Sequence, residues 1–230
     1  IARAYANSPF LAGLVDRNAD LMPLIHAGDF DTALANALAR DADTVGIALR
    51  KQRQGVALVT AIADLAGVWD LTRVTHILSD FADHALDQAI EAAIQERMPG
   101  APNQGFAVIA LGKHGGRELN YSSDIDPIFL FDPKTLPHRE GEDVAEAAVR
   151  YGRRVIALLS ALDGDGYVFR VDMRLRPSPE VSPIVLPVEA AIGYYESSAL
   201  AWEQAAFIRA RVSSGDRMLC AYFMHAITPF

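Results

Sequence analysis

One cysteine in 230 residues, Cys220, leaves no partner for an internal disulfide and fits a reducing compartment, taken here as the cytoplasm. Long apolar runs are also missing. The longest candidate, residues 55–69, is broken by Thr60 and Asp64 and is too short and polar to span a bilayer, which needs roughly 18 or more apolar residues. The start of the chain has no basic segment followed by an apolar one, so no secretory signal is read there. Positive charge is in deficit: 21 Lys+Arg against 29 Asp+Glu give a net charge of −8, which argues against a nucleic-acid coat but leaves room for local arginines that bind phosphate. No fixed repeat marks a solenoid. Several motifs are absent as well. Gly112-Lys113 lacks the Ser/Thr and the earlier glycine of a Walker A loop, no G-x-G-x-x-G or H-E-x-x-H occurs, and Phe129 stands where a calcium loop needs glycine.

What remains is a globular composition, 51% hydrophobic and 22% charged. Residues 1–98 read as a helical sub-domain. Ser8-Pro9, Asp29 or Asp31, Asp43 or Thr44, and Asp70 are its helix starts. The last of these helices carries a stripe of Leu71, Val74, Leu78, Phe81, Ala85, Ala89 and Ala93 at three- and four-residue steps, read as core packing. Pro99-Gly100-Ala101-Pro102 ends that region. Residues 99–186 form the expected core, and 187–230 are expected as helices packed upon it, including one over residues 199–211. The chain both begins and stops in apolar sequence, so a fragment of a longer protein is expected.

The organising stretch is FAVIALGKHGGRELNYSSDIDPIFLFD, residues 106–132. Two apolar runs read as strands, joined by a glycine turn and a short helix. Alternation along a strand beginning at Asp124 puts Asp124 and Asp126 on one face with Ile125 opposite. A carboxylate pair spaced in this way suits two divalent cations that clamp the entering and leaving oxygens of a phosphoryl transfer. Magnesium, a hard cation, takes oxygen ligands. Gly112, Lys113, Gly115 and Gly116 offer backbone N–H groups to phosphate. Residues 144–162 read as an amphipathic helix with Leu162 on its apolar stripe, and Asp163-Gly164-Asp165-Gly166 as a plain turn. Residues 167–175 read as a further strand. On it Phe169, Val171, Met173 and Leu175 face one way, and Arg170, Asp172 and Arg174, with Arg176 beyond, face the other. That polar face is either a salt-bridged surface or the source of a third carboxylate, Asp172, with Arg174 and Arg176 neutralising a transferring phosphoryl group.

Gly112-Lys113, ten residues, then Asp124-Ile125-Asp126 resembles the nucleotidyltransferase superfamily that includes DNA polymerase beta. The strings GKHGGRELNYSSDID, RVDMRLRP and WEQAAFIRAR resemble more narrowly the glutamine synthetase adenylyltransferase/adenylyl-removing family, closely over residues 100–217 and more loosely before. The resemblance implies an α+β, polymerase-beta-like mixed sheet. It implies Asp124, Asp126 and Asp172 as carboxylates for two Mg²⁺ ions, the glycine loop for nucleotide phosphate, and Ser123 as the residue orienting Asp124. Glu203, Arg209 and Arg211 match a late family motif, and Trp202 reads as a packing anchor. His114 and Pro127 stand where leucine is commoner; Pro127 implies a strand that starts late or lies near an edge. The family adds AMP to a tyrosine of glutamine synthetase in one half and removes it by phosphorolysis, releasing ADP, in the other. NYSSDID and GYVFRVDMRLRPSPE resemble the removing half. Implied partners are therefore glutamine synthetase, phosphate, ADP or ATP and, through a longer chain, a PII-type signal protein; no nucleic acid or membrane is expected. The adenylylating half, and a non-catalytic module that senses a ligand or signal, stand as alternatives.

Overall fold

The computed structural model describes residues 7–228. Its lead-in is helical. Helix α1 spans Pro9–Arg17, capped by Ser8, whose Oγ accepts from Leu11 N, with proline at the first helical position. A 3₁₀ turn and α2 (Met22–Ala27) follow, then α3 (Phe30–Leu38) with Asp29 as N-cap, α4 (Val45–Leu65) with Thr44, and α5 (Leu71–Arg97) with Asp70. The capping residues thus chose the starts because each supplies a side-chain oxygen to an otherwise unpaired N–H. Of the predicted stripe on α5, all but Leu71 are buried; Leu71 sits in the first turn, before the helix meets the core, and is exposed.

The sheet has four strands in the order β3-β2-β1-β4. Strand β1 (Phe106–Leu111) pairs antiparallel with β2 (Asp126–Phe131) and with β4 (Arg211–Gly215), while β3 (Val185–Pro187) lies parallel to β2 from Phe129 onward. The α+β class and mixed pairing agree with expectation. Every residue of β1 is buried because both faces are covered. Phe106 and Val108 join Phe129 and Phe131 in a cluster with the lead-in helices and α7 (Val144–Ser160). On the other face Ala107, Ile109 and Leu111 pack with α8 (Val188–Ser197) and α10 (Arg217–Ile227), where Cys220 is buried as a small apolar residue.

Several expectations need correction. Residues 167–175 are not a regular strand: one parallel bridge, Ile125 to Val171, is the only ladder pairing described there. Strand β2 begins at Asp126, not Asp124. Pro127 lies within a central strand, but at a level that β3 does not reach, so its missing N–H breaks no pairing with β3. The helix expected over 199–211 is α9 (Ala201–Ala206), a 3₁₀ turn (Phe207–Arg209), and then β4. Arg211-Val-Ser-Ser-Gly completes the edge of β1, a pairing that no local helical periodicity reveals. Leu162 lies beyond the end of α7 and is 77% exposed, and Trp202 is 52% exposed rather than a packing anchor.

Phe81 of α5 is fully enclosed and packs on Phe169, ring centroids 5.7 Å apart, which ties the lead-in to the segment carrying Asp172. Phe81→Ala should lower unfolding free energy by about 3–5 kcal/mol, measured by urea denaturation.

Candidate active site

The loop between β1 and β2 starts with α6 (Gly112–Gly115). Two of its glycines have distinct reasons to be glycine. Gly112 has φ +57°, and a Cβ there would run into the carboxylate of Asp126. At Gly115 a Cβ would overlap the carbonyl oxygens of Arg209 and Ala110, so the turn before β4 presses directly on this loop. Both close approaches are to the protein's own groups.

His114, which stands where leucine is commoner, is fully buried. Its Nε2 lies 2.8 Å from Asp83 Oδ1 on α5. Asp83 also accepts from Arg211 Nη1 at 2.6 Å and from Ser213 Oγ at 2.5 Å, while Arg211 Nη2 donates to the His114 carbonyl at 3.3 Å. Burial alone would push Asp83 up; the hydrogen bonds from His114, Arg211 and Ser213, with the charge of His114, outweigh it and hold the carboxyl at about 2. An ionised Asp83 only accepts, so Nε2 carries the proton. The glycine loop is thereby buckled to α5 on one side and β4 on the other.

Asp124, Asp126 and Asp172 come together through the bridge at Ile125. Ile125 N donates to Arg170 O at 3.0 Å, and Asp172 N donates to Ile125 O at 2.9 Å. Ile125 is buried, and the two aspartates flanking it are half-buried, as alternation predicts. Asp124 accepts from Arg170 Nε, and Arg170 Nη2 donates to Ser122 O at 2.7 Å. Asp172 pairs with Arg174, whose hydrogen bonds hold its carboxyl below the usual range. Asp126 alone has no hydrogen bond or ion pair among the described residues. Burial, then the charges of Asp172 and Asp124, push its carboxyl up to about 6 against the opposing pull of Arg174 and Lys113. Gly112, Lys113, Asn120, Asp124, Asp126 and Arg170 are among the lining of an open cleft of ≈ 600 Å³.

The other predicted residues divide between the cleft and elsewhere. Lys113 lines the cleft, and so does Arg209, which pairs with Glu118. Ser123, also in the lining, accepts from Asn120 N at 3.1 Å and shapes the turn before Asp124. Gly116 adjoins Glu118 and Arg209, where a Cβ would make only ordinary contact. Arg176 turns away, donating to the carbonyls of Met173, Pro179 and Ser182. Buried Glu203 caps α9 by accepting from Leu200 N at 2.8 Å and also accepts from Tyr194 Oη. Arg211 serves Asp83. Arg170, Asn120 and Ser122 were not singled out from sequence as site residues. The alternation that exposed Arg170 on the face of Asp172 was the available signal.

Among the described residues no three His, Cys, Asp or Glu side chains converge tightly enough to form a metal cage. Arg170 and Arg174 draw two of the three aspartates into ion pairs. The donor chemistry nevertheless fits a hard divalent cation: Asp124 and Asp126 line the cleft with Asp172 close by, and the unpaired Asp126 resists ionisation because it is buried and its neighbours are negative. An α+β sheet with such carboxylates beside a glycine turn is compatible with the nucleotidyltransferase class.

Sequence comparison narrows this. The profile for glutamate-ammonia ligase adenylyltransferase matches residues 1–226. The chain is 42% identical over 249 aligned residues to a bifunctional glutamine synthetase adenylyltransferase/adenylyl-removing enzyme of Caulobacter vibrioides, covering 100% of this chain and 25% of that protein. Proteins with the same name from Rhizobium meliloti (40% identical, 79% of this chain and 20% of that one) and Agrobacterium fabrum (35%, 100% and 26%) are similar in turn. The chain belongs to the glutamate-ammonia ligase adenylyltransferase family and spans about a quarter of the length of these relatives. No helix among the described residues is long and apolar enough to cross a membrane.

The raised carboxyl of Asp126 has a consequence for stability. Below about pH 4 it is protonated in folded and unfolded chains alike. Between there and pH 6 the unfolded chain releases the proton while the folded chain retains it, so stability falls as pH rises and the full cost stands above pH 6. Asp126→Asn should therefore stabilise the metal-free protein at pH 7, by on the order of 1 kcal/mol after solvent screening, and the gain should vanish by about pH 4 in urea unfolding with chelator present.

Proposed function

We propose that this chain removes AMP from an adenylylated tyrosine of glutamine synthetase by phosphorolysis. The observation that carries the reading is that Asp124 and Asp126 line one cleft beside the Gly112-Lys113 turn, with Asp172 brought next to them by the bridge at Ile125. The assignment to removal rather than addition rests on the resemblance of NYSSDID and GYVFRVDMRLRPSPE to the removing half.

In this reaction an oxygen of inorganic phosphate attacks the AMP phosphorus. A new P–O bond forms ADP, the P–O bond to tyrosine breaks, and the departing phenolate oxygen takes up a proton. Asp124, Asp126 and Asp172 would hold magnesium ions, which would supply positive charge to the transferring phosphoryl group. Lys113 and Arg209 place cationic groups on the cleft wall, where incoming phosphate and the AMP phosphate are both anionic. Arg170 holds Asp124 by ion pair and by its anchor on Ser122 O, which limits the rotamers open to that carboxylate. Asp83, His114 and Arg211 keep the glycine turn in register with the aspartates. A phosphate nucleophile needs no general base, so none is assigned. PII-type signalling and glutamine or 2-oxoglutarate control belong to the longer protein in this reading.

Incubation with adenylylated glutamine synthetase, phosphate and Mg²⁺ should release ADP, whereas unmodified synthetase with ATP should acquire no AMP; the reverse result assigns the chain to the adenylylating half. Asp124→Asn and Asp126→Asn should each lower ADP release at least a hundredfold with the circular dichroism spectrum unchanged, since metal-borne charge stabilisation is a large part of such transfers. Near-normal turnover in either folded variant would sink the reading.

A further inference from the structure

Beyond Arg170 lies a second cavity, of ≈ 570 Å³, that shares Ser122 with the cleft. Distant parts of the chain build it: Phe10 and Leu14 of α1, Ala57 of α4, and Leu162 and Tyr167 beside the turn after α7. Phe10 and Leu162 leave 60% and 77% of their surfaces exposed, giving it apolar walls open to solvent. Isolated exposed apolar residues are ordinary, but here they stand around one concavity.

Its charged lining is unusual. Arg17 and Arg53 both line it, and neither has an ion-pair partner among the described residues. Arg53 projects from α4 and is largely enclosed. Its Nε donates to Val168 O at 3.0 Å, its Nη2 donates to Tyr121 O at 2.8 Å, and its guanidinium lies 4.9 Å from the centre of the Phe169 ring. Nη1 makes no hydrogen bond among the described residues. Two carboxylates are also in the lining: Asp163 is taken by Arg50, and Asp165 has no ion pair among the described residues. Burial pushes the Arg53 guanidinium down, Arg170 adds to this, and no carboxylate is among the groups that act on it. A cation drawn out of water without a counter-ion is unfavourable, and a cavity that presents one beside apolar walls favours an anion with an apolar body.

We propose that this cavity is a binding site for a small organic carboxylate whose anionic end meets Arg53 Nη1, with Arg17 at the mouth, and whose apolar or aromatic body lies against Phe10, Leu14 and Leu162. One enclosed cation with one free nitrogen suits a monoanion better than a doubly charged phosphate. The site is separate from the aspartate cleft but touches it: Tyr167 Oη accepts from Arg170 Nη1 at 2.8 Å, and Arg170 in turn holds Asp124. Occupancy is independent of the reaction proposed above.

Benzoate, benzamide and inorganic phosphate are the probes, titrated by calorimetry into the chain at neutral pH. Benzoate should bind saturably with one site per chain, and uncharged benzamide about tenfold more weakly or worse, the loss of a charge-assisted hydrogen bond. Arg53→Gln should weaken benzoate about tenfold. Because Arg53 also holds two carbonyls, Leu162→Asp serves as a second variant; it alters only an exposed rim and should weaken benzoate comparably by placing a negative charge at the mouth. Asp126→Asn should leave benzoate binding unchanged, which separates this site from the aspartate cleft. No saturable benzoate binding, equal affinity for benzamide, tighter binding of phosphate, or benzoate affinity indifferent to Leu162→Asp would each overturn the proposal.

Discussion

Two backbone hydrogen bonds, from Ile125 N to Arg170 O and from Asp172 N to Ile125 O, hold the third aspartate against the other two. They form the isolated parallel bridge between Ile125, the residue before β2, and a segment that is otherwise irregular. The electrostatics of the cleft depend on that pairing. It brings the charges of Asp124 and Asp172 onto Asp126, and it sets Arg170 where it reaches Asp124, Ser122 and Tyr167 together. A bridge so short is held by what packs behind it. Ile125, Val168 and Phe169 are buried, and Phe169 is enclosed between Phe81 of α5 and the guanidinium of Arg53.

Helix α5 is the common backing of both halves of the cleft. From one end of the contact, Phe81 meets the segment that carries Asp172; from the other, Asp83 holds His114 and Arg211. Just before them on the helix, Ser79 Oγ accepts from Leu119 N at 3.4 Å, and Asp80 pairs with Arg117, a non-glycine residue at φ +55°. A helix is a stiff element, so residues three and four apart on it keep a fixed separation, and the glycine turn and the aspartates inherit that separation. The same helix buries its other apolar residues in the main cluster, which makes the geometry of the cleft inseparable from the packing of the lead-in.

The arginines divide into two kinds. Arg170, Arg174, Arg209 and Arg211 each face a carboxylate and moderate the negative charge gathered near the cleft. The exposed pairs among them, such as Arg209–Glu118, contribute little to stability, so their value lies in positioning. Arg53 has no such partner, and its enclosure leaves its charge to carbonyls, an aromatic ring and whatever enters the cavity before it.

Local chemistry in the sequence determined the helix starts, because Ser8, Asp29, Thr44 and Asp70 carry their own capping oxygens. It determined the buried character of β1 and the shared face of Asp124 and Asp126, since a continuous apolar run and a two-residue period are visible along one stretch. The tertiary structure alone decided the rest. Arg211–Gly215 becomes a strand because β1 offers an open edge, and residues 167–175 fall short of one because the one bridge described there, Val171 to Ile125, lies just before β2. Gly112 and Gly115 are glycines for the sake of Asp126 and Arg209, His114 is buried against a residue 31 positions away, and Arg176 turns outward to staple its own loop. Propensity and periodicity report on neighbours along the chain, whereas each of these outcomes is set by a partner that only folding brings near.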